Sequence, residues 1–318
     1  MPIICTGSVA YDYLMTFPGY FKEHILPDRL DSISLSFLVD SMVRQRGGVA
    51  PNIAYTLALL GDHPWIMATV GEDFEEYRAW LEERGINTEL VRVIQGKYTA
   101  SFFANTDRAN NQICSFYTGA MANAAELSIK ALPAGLAEMV VISPNDPGAM
   151  KQYARECSEL NIPYLYDPSQ QIVRMDGGEL REGVEHAHSL FVNEYEHELL
   201  VKHTGLTHEE MLQRVKYMVV TQGKQGALIY TEGREYQIPV VEPAEIVDPT
   251  GVGDAFRGGF LRGVCLGYDW QTCGQMGSLA ATYCLEQRGT QKHAYSRAEF
   301  IARYRQHFDD QGVLDTLL

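Results

Sequence analysis

Short, continuously apolar runs alternating with helix-period segments constrain this chain more than any other feature. Residues 3–5, 65–70, 139–143, 163–167, 189–193 and 217–221 are each apolar and each bounded by Gly, Pro, Asn or Asp, as buried strands are. Segments 50–60, 75–84 and 147–160 lie between them with helical periodicity. A strand that is apolar on both faces must be covered on both. The alternation therefore predicts an α/β fold, a parallel sheet between two helical layers in a three-layer sandwich. The 318 residues and their 46% hydrophobic content suffice for one such unit, so 1–318 is expected to be a single domain.

Two regions break this rhythm. Residues 14–39 and 91–117 carry short alternating segments at 34–38, 98–104 and 112–117, with an Asp- and Asn-rich turn at 107–111. They predict a small inserted β-sheet forming a lid over one end of the parallel sheet; two unconnected surface hairpins are the alternative. The last third opens with Asp248-Pro249-Thr250-Gly251-Val252-Gly253-Asp254-Ala255-Phe256 and continues as three expected helices, 254–266, 270–287 and 296–307.

Bulk properties exclude several classes of function. The formal charge is 26 − 41 = −15, which opposes nonspecific attraction to nucleic acid or anionic membrane. An anionic nucleotide then requires locally arranged N–H groups or a metal. The six cysteines form no CxxC pair, and reduced, mostly buried thiols point to the cytosol, with Cys265 and Cys284 in apolar surroundings. The N-terminus has no basic leader, and no apolar run approaches the ~18 residues of a membrane span. A soluble, cytoplasmic protein is expected. His63, His186, His188 and His293 have no metal-ligand spacing.

The segment Thr250-Gly251-Val252-Gly253-Asp254 is the strongest chemical signal. Its glycines permit a tight turn and close approach of a ligand, and a helix N-terminus presents free N–H groups to anionic oxygens. Asp254 falls in the first helical turn. There a carboxylate can act as a general base for an attacking hydroxyl, or serve simply as a favourable helix-start residue. A Gly-rich turn and one carboxylate are the parts that phosphoryl transfer needs, namely charge stabilisation and proton removal. The turn is not a Walker A loop, because no Lys-Ser or Lys-Thr follows the glycines.

The 248–256 segment resembles the C-terminal signature of the ribokinase, or PfkB, family of carbohydrate and nucleoside kinases. Further family features follow in order over nearly the whole chain. The resemblance implies a ribokinase-like catalytic domain, with ATP and Mg²⁺ as cofactors, the Gly251–Val252–Gly253 amides as anion hole and Asp254 as base. It implies that the segment Gly7-Ser8-Val9-Ala10-Tyr11-Asp12 holds the substrate, through Ser8 and through sugar hydroxyls on Asp12. Alone, Asp12 would be a turn-capping residue. Gly47, Gly48 and Asn52 match the family's substrate-side Gly-Gly and Asn, although an Asn at a helix start also orders a turn. Asn193-Glu194-Tyr195-Glu196 resembles the N-x-x-E element, with Asn193 near the phosphates and Glu196 holding Mg²⁺ through water. By itself the tetrad is a polar helix start. Thr221, Gly223 and Gly226 match T-x-G-x-x-G at the nucleotide, or form an ordinary hairpin turn.

Some segments depart from the family pattern or carry less. Gly71-Glu72-Asp73 looks like a G-x-D segment, but Glu76 and Tyr77 stand where a further Gly is expected. Residues 288–291 are placed for ATP adenine. Arg174 is a candidate phosphate contact, or a solvated loop residue.

Within the family, 7–12, 25–28, 36–39, 52–55, 110–113, 119–121 and 248–259 look like bacterial adenosine kinases. The expected reaction is therefore transfer from MgATP to the ribose 5′-hydroxyl of adenosine, by a monomer or homodimer. Phe37, Phe102, Phe103, Phe116 and Tyr117 could pack on adenine or form the core of the small sheet. Other readings are an inosine, guanosine or ribose kinase of the same family, or a nucleoside-binding regulator without turnover. A dinucleotide-dependent oxidoreductase lacks its G-x-G-x-x-G after the first strand.

Overall fold

The computed structural model describes residues 2–25, 31 and 34–318. Among the described residues the strands are β1 (Ile3–Thr6), β2 (Ala10–Thr16), β3 (Ser41–Gly47), β4 (Trp65–Val70), β5 (Val91–Val93), β6 (Ala100–Thr106), β7 (Gln112–Tyr117), β8 (Met139–Ile142), β9 (Tyr164–Tyr166), β10 (Ser189–Asn193), β11 (Tyr217–Thr221), β12 (Ala227–Thr231) and β13 (Arg234–Ile238). The α-helices are α1 (Val49–Leu59), α2 (Glu75–Glu82), α3 (Pro147–Leu160), α4 (Gly177–Glu185), α5 (Glu194–Thr204), α6 (His208–Leu212), α7 (Val252–Leu266), α8 (Trp270–Leu285) and α9 (Arg297–His307).

Nine strands make one sheet in the order β13-β12-β11-β10-β9-β8-β1-β4-β5, parallel from β11 to β5 and closed at its other edge by the antiparallel β12–β13 hairpin. Alternate residues of each strand serve opposite layers, as the pleat requires. Ile3 and Cys5 join a core with Ile53 and Leu57 of α1, Leu81 of α2 and Phe260 of α7. Ile4 joins a second core with Met150 and Tyr153 of α3, Leu180 of α4 and Leu200 of α5. The expected three-layer sandwich is thus present.

Local chemistry sets several of the boundaries. Asp146 caps α3 through Ala149 N, Pro147 occupies its first turn, and Asn161 ends it in the left-handed conformation. No helix among the described residues is long and apolar enough to cross a membrane. The six cysteines are free; Cys5, Cys157, Cys273 and Cys284 are buried, and Cys114 is exposed. Cys265 is exposed as well, against expectation, because it falls on the outer side of α7.

The inserted sheet is present but built differently from the expectation. Its order is β3-β2-β6-β7, with β2–β6 parallel and the outer pairs antiparallel. It therefore begins at Ala10 and includes Ser41–Gly47, beyond the 14–39 and 91–117 limits, while β5 belongs to the edge of the large sheet. Residues 34–38 form no strand. Thr16 already pairs with Ser41, so 34–38 fall outside that strand pair, and Phe37 instead packs edge-on against Phe17 and Phe21, each 5.0 Å between centroids. Residues 26–28 of the 25–28 segment lie outside the described residues.

Asp73 ties the small sheet to the body, its Oδ1 accepting from both Thr99 N and Thr99 Oγ1 at 2.8 Å. A Cβ at Gly71 would fall 2.2 Å from the Tyr98 carbonyl carbon, so the G-x-D segment has a packing role. Asp107 organises the 107–111 turn, its Oδ1 accepting from Ala109 N and Asn111 N at 2.9 Å each.

Candidate active site

The carboxyl ends of parallel strands are where α/β sheets leave backbone groups and loops free for ligands. Here Ser8 follows β1, Pro144 follows β8, Asp167 follows β9, and Asn193 and Thr221 end β10 and β11. The start of α7 closes this edge from one side and the small sheet from the other. Together they line a cleft of about 410 Å³.

Of the residues singled out in the sequence, Ser8, Asp12, Gly48, Asn52, Asn193, Glu196, Thr221, Gly251, Gly253 and Asp254 line this cleft. Four others do not. Gly47 backs it, since a Cβ there would lie 2.5 Å from Asp12 Oδ2. Val252 is the half-buried first residue of α7. Gly223 and Gly226 form the turn between β11 and β12, and a Cβ on Gly226 would meet the Ile238 carbonyl oxygen. Arg174 is exposed and away from the lining.

Gly251 is the N-cap of α7 with φ +78°, a conformation that favours glycine. A Cβ on Gly253 would fall 2.8 Å from Arg257 Nη1, filling the mouth of the turn. The first N–H groups of this 15-residue helix therefore face an open, glycine-lined cradle, and helix N-termini favour anions.

Asp254 stands in the first turn of α7. Its Oδ2 accepts from Asn52 Nδ2 at 2.8 Å, and its Oδ1 lies 3.8 Å from Arg257 Nη1. Burial raises its pKa to about 6, against the opposing pull of Arg257 and the Asn52 hydrogen bond. Asn52 is itself oriented, because its Oδ1 accepts from Gln291 Nε2 at 2.7 Å. Gln291, from the 288–291 segment, thus sits beneath Asn52 at the edge of the cleft, and Gly289 N donates to Asp248 Oδ2.

Arg257 and Asp167 escaped sequence reasoning as site residues. Arg257 Nη2 donates to Asp167 Oδ1 at 2.7 Å, one turn along α7 from Asp254. Burial lifts the Asp167 pKa, while the guanidinium pulls it back. Among the described residues Arg257 Nε has no hydrogen-bond partner, which leaves a buried donor at the cleft for an anionic oxygen. The usable sequence signal was an Asp closing an apolar strand run at 163–167.

Asp12 lies on β2 opposite the α7 turn. Burial, with Asp248 nearby, raises its pKa to about 6. Among the described residues no side chain or amide donates a hydrogen bond to either of its oxygens, so both are available to a ligand. Phe102 and Phe116, cross-strand partners on β6 and β7, line the cleft beside it. Phe103 instead stacks on Tyr13 at 4.8 Å, on the opposite face of the small sheet.

Asn193 and Glu196 form a capping box at the start of α5: Asn193 Oδ1 accepts from Glu196 N, and Glu196 Oε2 accepts from Asn193 N, both at 2.8 Å. Ser169, held at φ +40°, donates to Glu196 Oε1 at 3.0 Å. The polar helix start is therefore real. The carboxylate keeps further lone pairs for a water-bound cation. Among the described residues no group of three or more His, Cys, Asp or Glu could bind a metal directly.

A family model for pfkB family carbohydrate kinases matches residues 7–296. The nucleoside kinase of Methanocaldococcus jannaschii is 30% identical over 307 residues, covering 96% of this chain and 97% of that protein. A solved structure of Burkholderia thailandensis nucleoside kinase in complex with inosine superposes with a TM-score of 0.85 at 38% identity, covering 96% of this chain and 98% of that one. The same enzyme in complex with ADP-inosine gives a TM-score of 0.84 at 39% identity, over 96% of each chain. By the match from residue 7 to residue 296 and by its fold, the chain belongs to the pfkB family of carbohydrate kinases.

Proposed function

We propose that this protein is a nucleoside kinase that transfers the γ-phosphoryl group of ATP to the ribose 5′-hydroxyl of a purine nucleoside, adenosine first, giving AMP and ADP. The observation that carries this reading is the pairing of two half-buried carboxylates in one cleft: Asp12 unpartnered on the small sheet, and Asp254 held by Asn52 at the glycine turn.

Asp12 accepts the two ribose hydroxyls, and Phe102 and Phe116 flank the base. Asp254 takes the 5′-hydroxyl proton as the new O–P bond forms and the bond from the γ-phosphorus to the bridging oxygen breaks. The electron pair leaves on ADP. A base with a pKa of about 6 is ionised at neutral pH yet still basic enough to help the hydroxyl attack. The Gly251–Gly253 amides and the free Arg257 Nε offer fixed donors to the moving phosphoryl group. The donor set fits Mg²⁺ held through water at Glu196, where the ion would neutralise phosphate charge. Thr221 and Asn193, at adjacent strand ends, face the nucleotide side.

Inosine or guanosine as preferred acceptor is the second reading, and the inosine complex of the Burkholderia enzyme favours it. A coupled assay with ATP and adenosine, inosine, guanosine, cytidine or free ribose tests both. Adenosine or another purine nucleoside should be the best acceptor. Free ribose as the best acceptor, or no ADP release with any of them, would overturn the proposal.

A further inference from the structure

A second cavity, of about 240 Å³, lies behind the 289–292 segment and outside the active cleft. Arg44, Arg46, Arg84 and Lys292 line it, together with the rings of Tyr55 and Trp80, and no carboxylate is in the lining. Four cations around one small cavity stand out in a chain of net charge −15. Like charges repel when brought together, so such a cluster persists only with compensation. Glu76, shared by Arg44 and Arg46, and Glu83, 3.5 Å from Arg84, supply part of it. Two carboxylates against four cations leave an excess of positive charge facing the cavity.

The donors are also held in place. The Arg84 guanidinium stacks over Trp80 at 3.9 Å and donates to the Trp80 carbonyl at 2.9 Å. Arg46 lies over the same ring at 4.9 Å, and Arg44 over Tyr11 at 4.6 Å. Guanidinium planes fixed on aromatic rings lose little further entropy when they bind an oxyanion. Lys292 is exposed and, among the described residues, has no ion-pair or hydrogen-bond partner, which leaves its ammonium available at the rim. Register separates the two small-sheet arginines of this site from Asp12, although Gln45, on the Asp12 face, also borders the cavity. Arg44 and Arg46 pair with Tyr13 and Tyr11, so they project from the face of the small sheet opposite to Asp12.

We infer that this cavity is a second, anion-binding site for a phosphate group, free or carried as a monoester by a small molecule. Fixed guanidinia and an ammonium match the charge and tetrahedral oxygens of phosphate. The volume falls below the ~300 Å³ at which pockets for larger ligands begin, which argues against a whole nucleoside triphosphate. Thr290 borders both this cavity and the active cleft, and Gln291 donates to Asn52, so a bound anion rests against the segment that backs the acceptor site.

Crystals soaked in tungstate, a phosphate-shaped anion with strong anomalous scattering, should show a peak among Arg46, Arg84 and Lys292. Calorimetric titration with inorganic phosphate and with ribose 5-phosphate should give binding that Lys292→Glu weakens about tenfold or more, with kinase activity retained. Equal affinity for the two probes identifies the phosphate group alone as the ligand; tighter binding of the ester adds contacts to its sugar. Three results would overturn the site: tungstate at the Gly251–Gly253 turn only, phosphate affinity unchanged in Lys292→Glu, or chloride competing as well as phosphate.

Discussion

Asn52 Nδ2 donates to Asp254 Oδ2 at 2.8 Å across 202 residues of sequence, joining the start of α1 to the start of α7. The Gln291 hydrogen bond fixes which end of the Asn52 amide faces the carboxylate. A hydrogen bond to a charged group contributes about 1.5–3 kcal/mol. Asn52→Ala should therefore lower kcat about 10- to 100-fold and move the acidic limb of the pH profile upward, because the bond favours the ionised carboxylate. A limb that stays in place would separate Asn52 from the ionisation of Asp254.

Asp254→Asn should preserve the fold and nucleotide binding, yet lose about 10²–10⁴-fold in turnover. Circular dichroism and ADP titration establish folding and binding, and single-turnover rates measure the loss. Near-native turnover in a folded variant would remove Asp254 as the base.

Two carboxylates with pKa values raised to about 6 make the pH profile diagnostic. In the proposed reaction each must be ionised, Asp12 to accept hydroxyls and Asp254 to accept a proton. Below about pH 6, kcat/KM should fall with a slope approaching two, since it reports the free enzyme. In Asp12→Asn the limb should fall with a slope of one. A slope of one in the wild type would exclude one of the two assignments.

Asp12 also has a cost to stability. Its folded pKa of about 6 exceeds the ordinary 3.8, so its ionised form destabilises the ligand-free fold above pH 6 and costs nothing below about pH 4. Asp12→Asn should raise stability at pH 8 by on the order of 1 to 2 kcal/mol, shrinking as the pH falls from 6 to 4. The same variant should lose much of the discrimination against 2′-deoxyadenosine, which in the wild type can reach ~10⁴-fold. Denaturant titration and paired kinetics test the two halves independently.

Glu196→Gln keeps a side chain that can accept from Asn193 N and so should preserve the capping box, but it removes the charge that faces the cleft. The magnesium concentration giving half-maximal rate should rise several-fold while acceptor affinity stays near native. An unchanged magnesium titration would reduce Glu196 to a helix cap.

Sequence alone determined the layer architecture. Strands apolar on both faces can be satisfied only between two helical layers, and strands 65–70, 189–193 and 217–221 and helix 147–160 appear within those bounds. It also determined the glycine turn and the caps, because φ above zero at Gly251 and the Asn193–Glu196 box are local chemistry. Tertiary structure decided what those pieces do together. Arg257 lies on a helical face whose partner, Asp167, is 90 residues away, and no periodicity encodes that meeting. The same holds for Asn52 with Asp254, for Gln291 beneath Asn52, and for Phe102 facing the cleft while its neighbour Phe103 stacks on Tyr13. Alternation at 34–38 suits a strand, but strand pairing is non-local, and β2 pairs with β3 and β6 instead. Side-chain meetings over hundreds of residues depend on how the layers pack, which composition and spacing leave open.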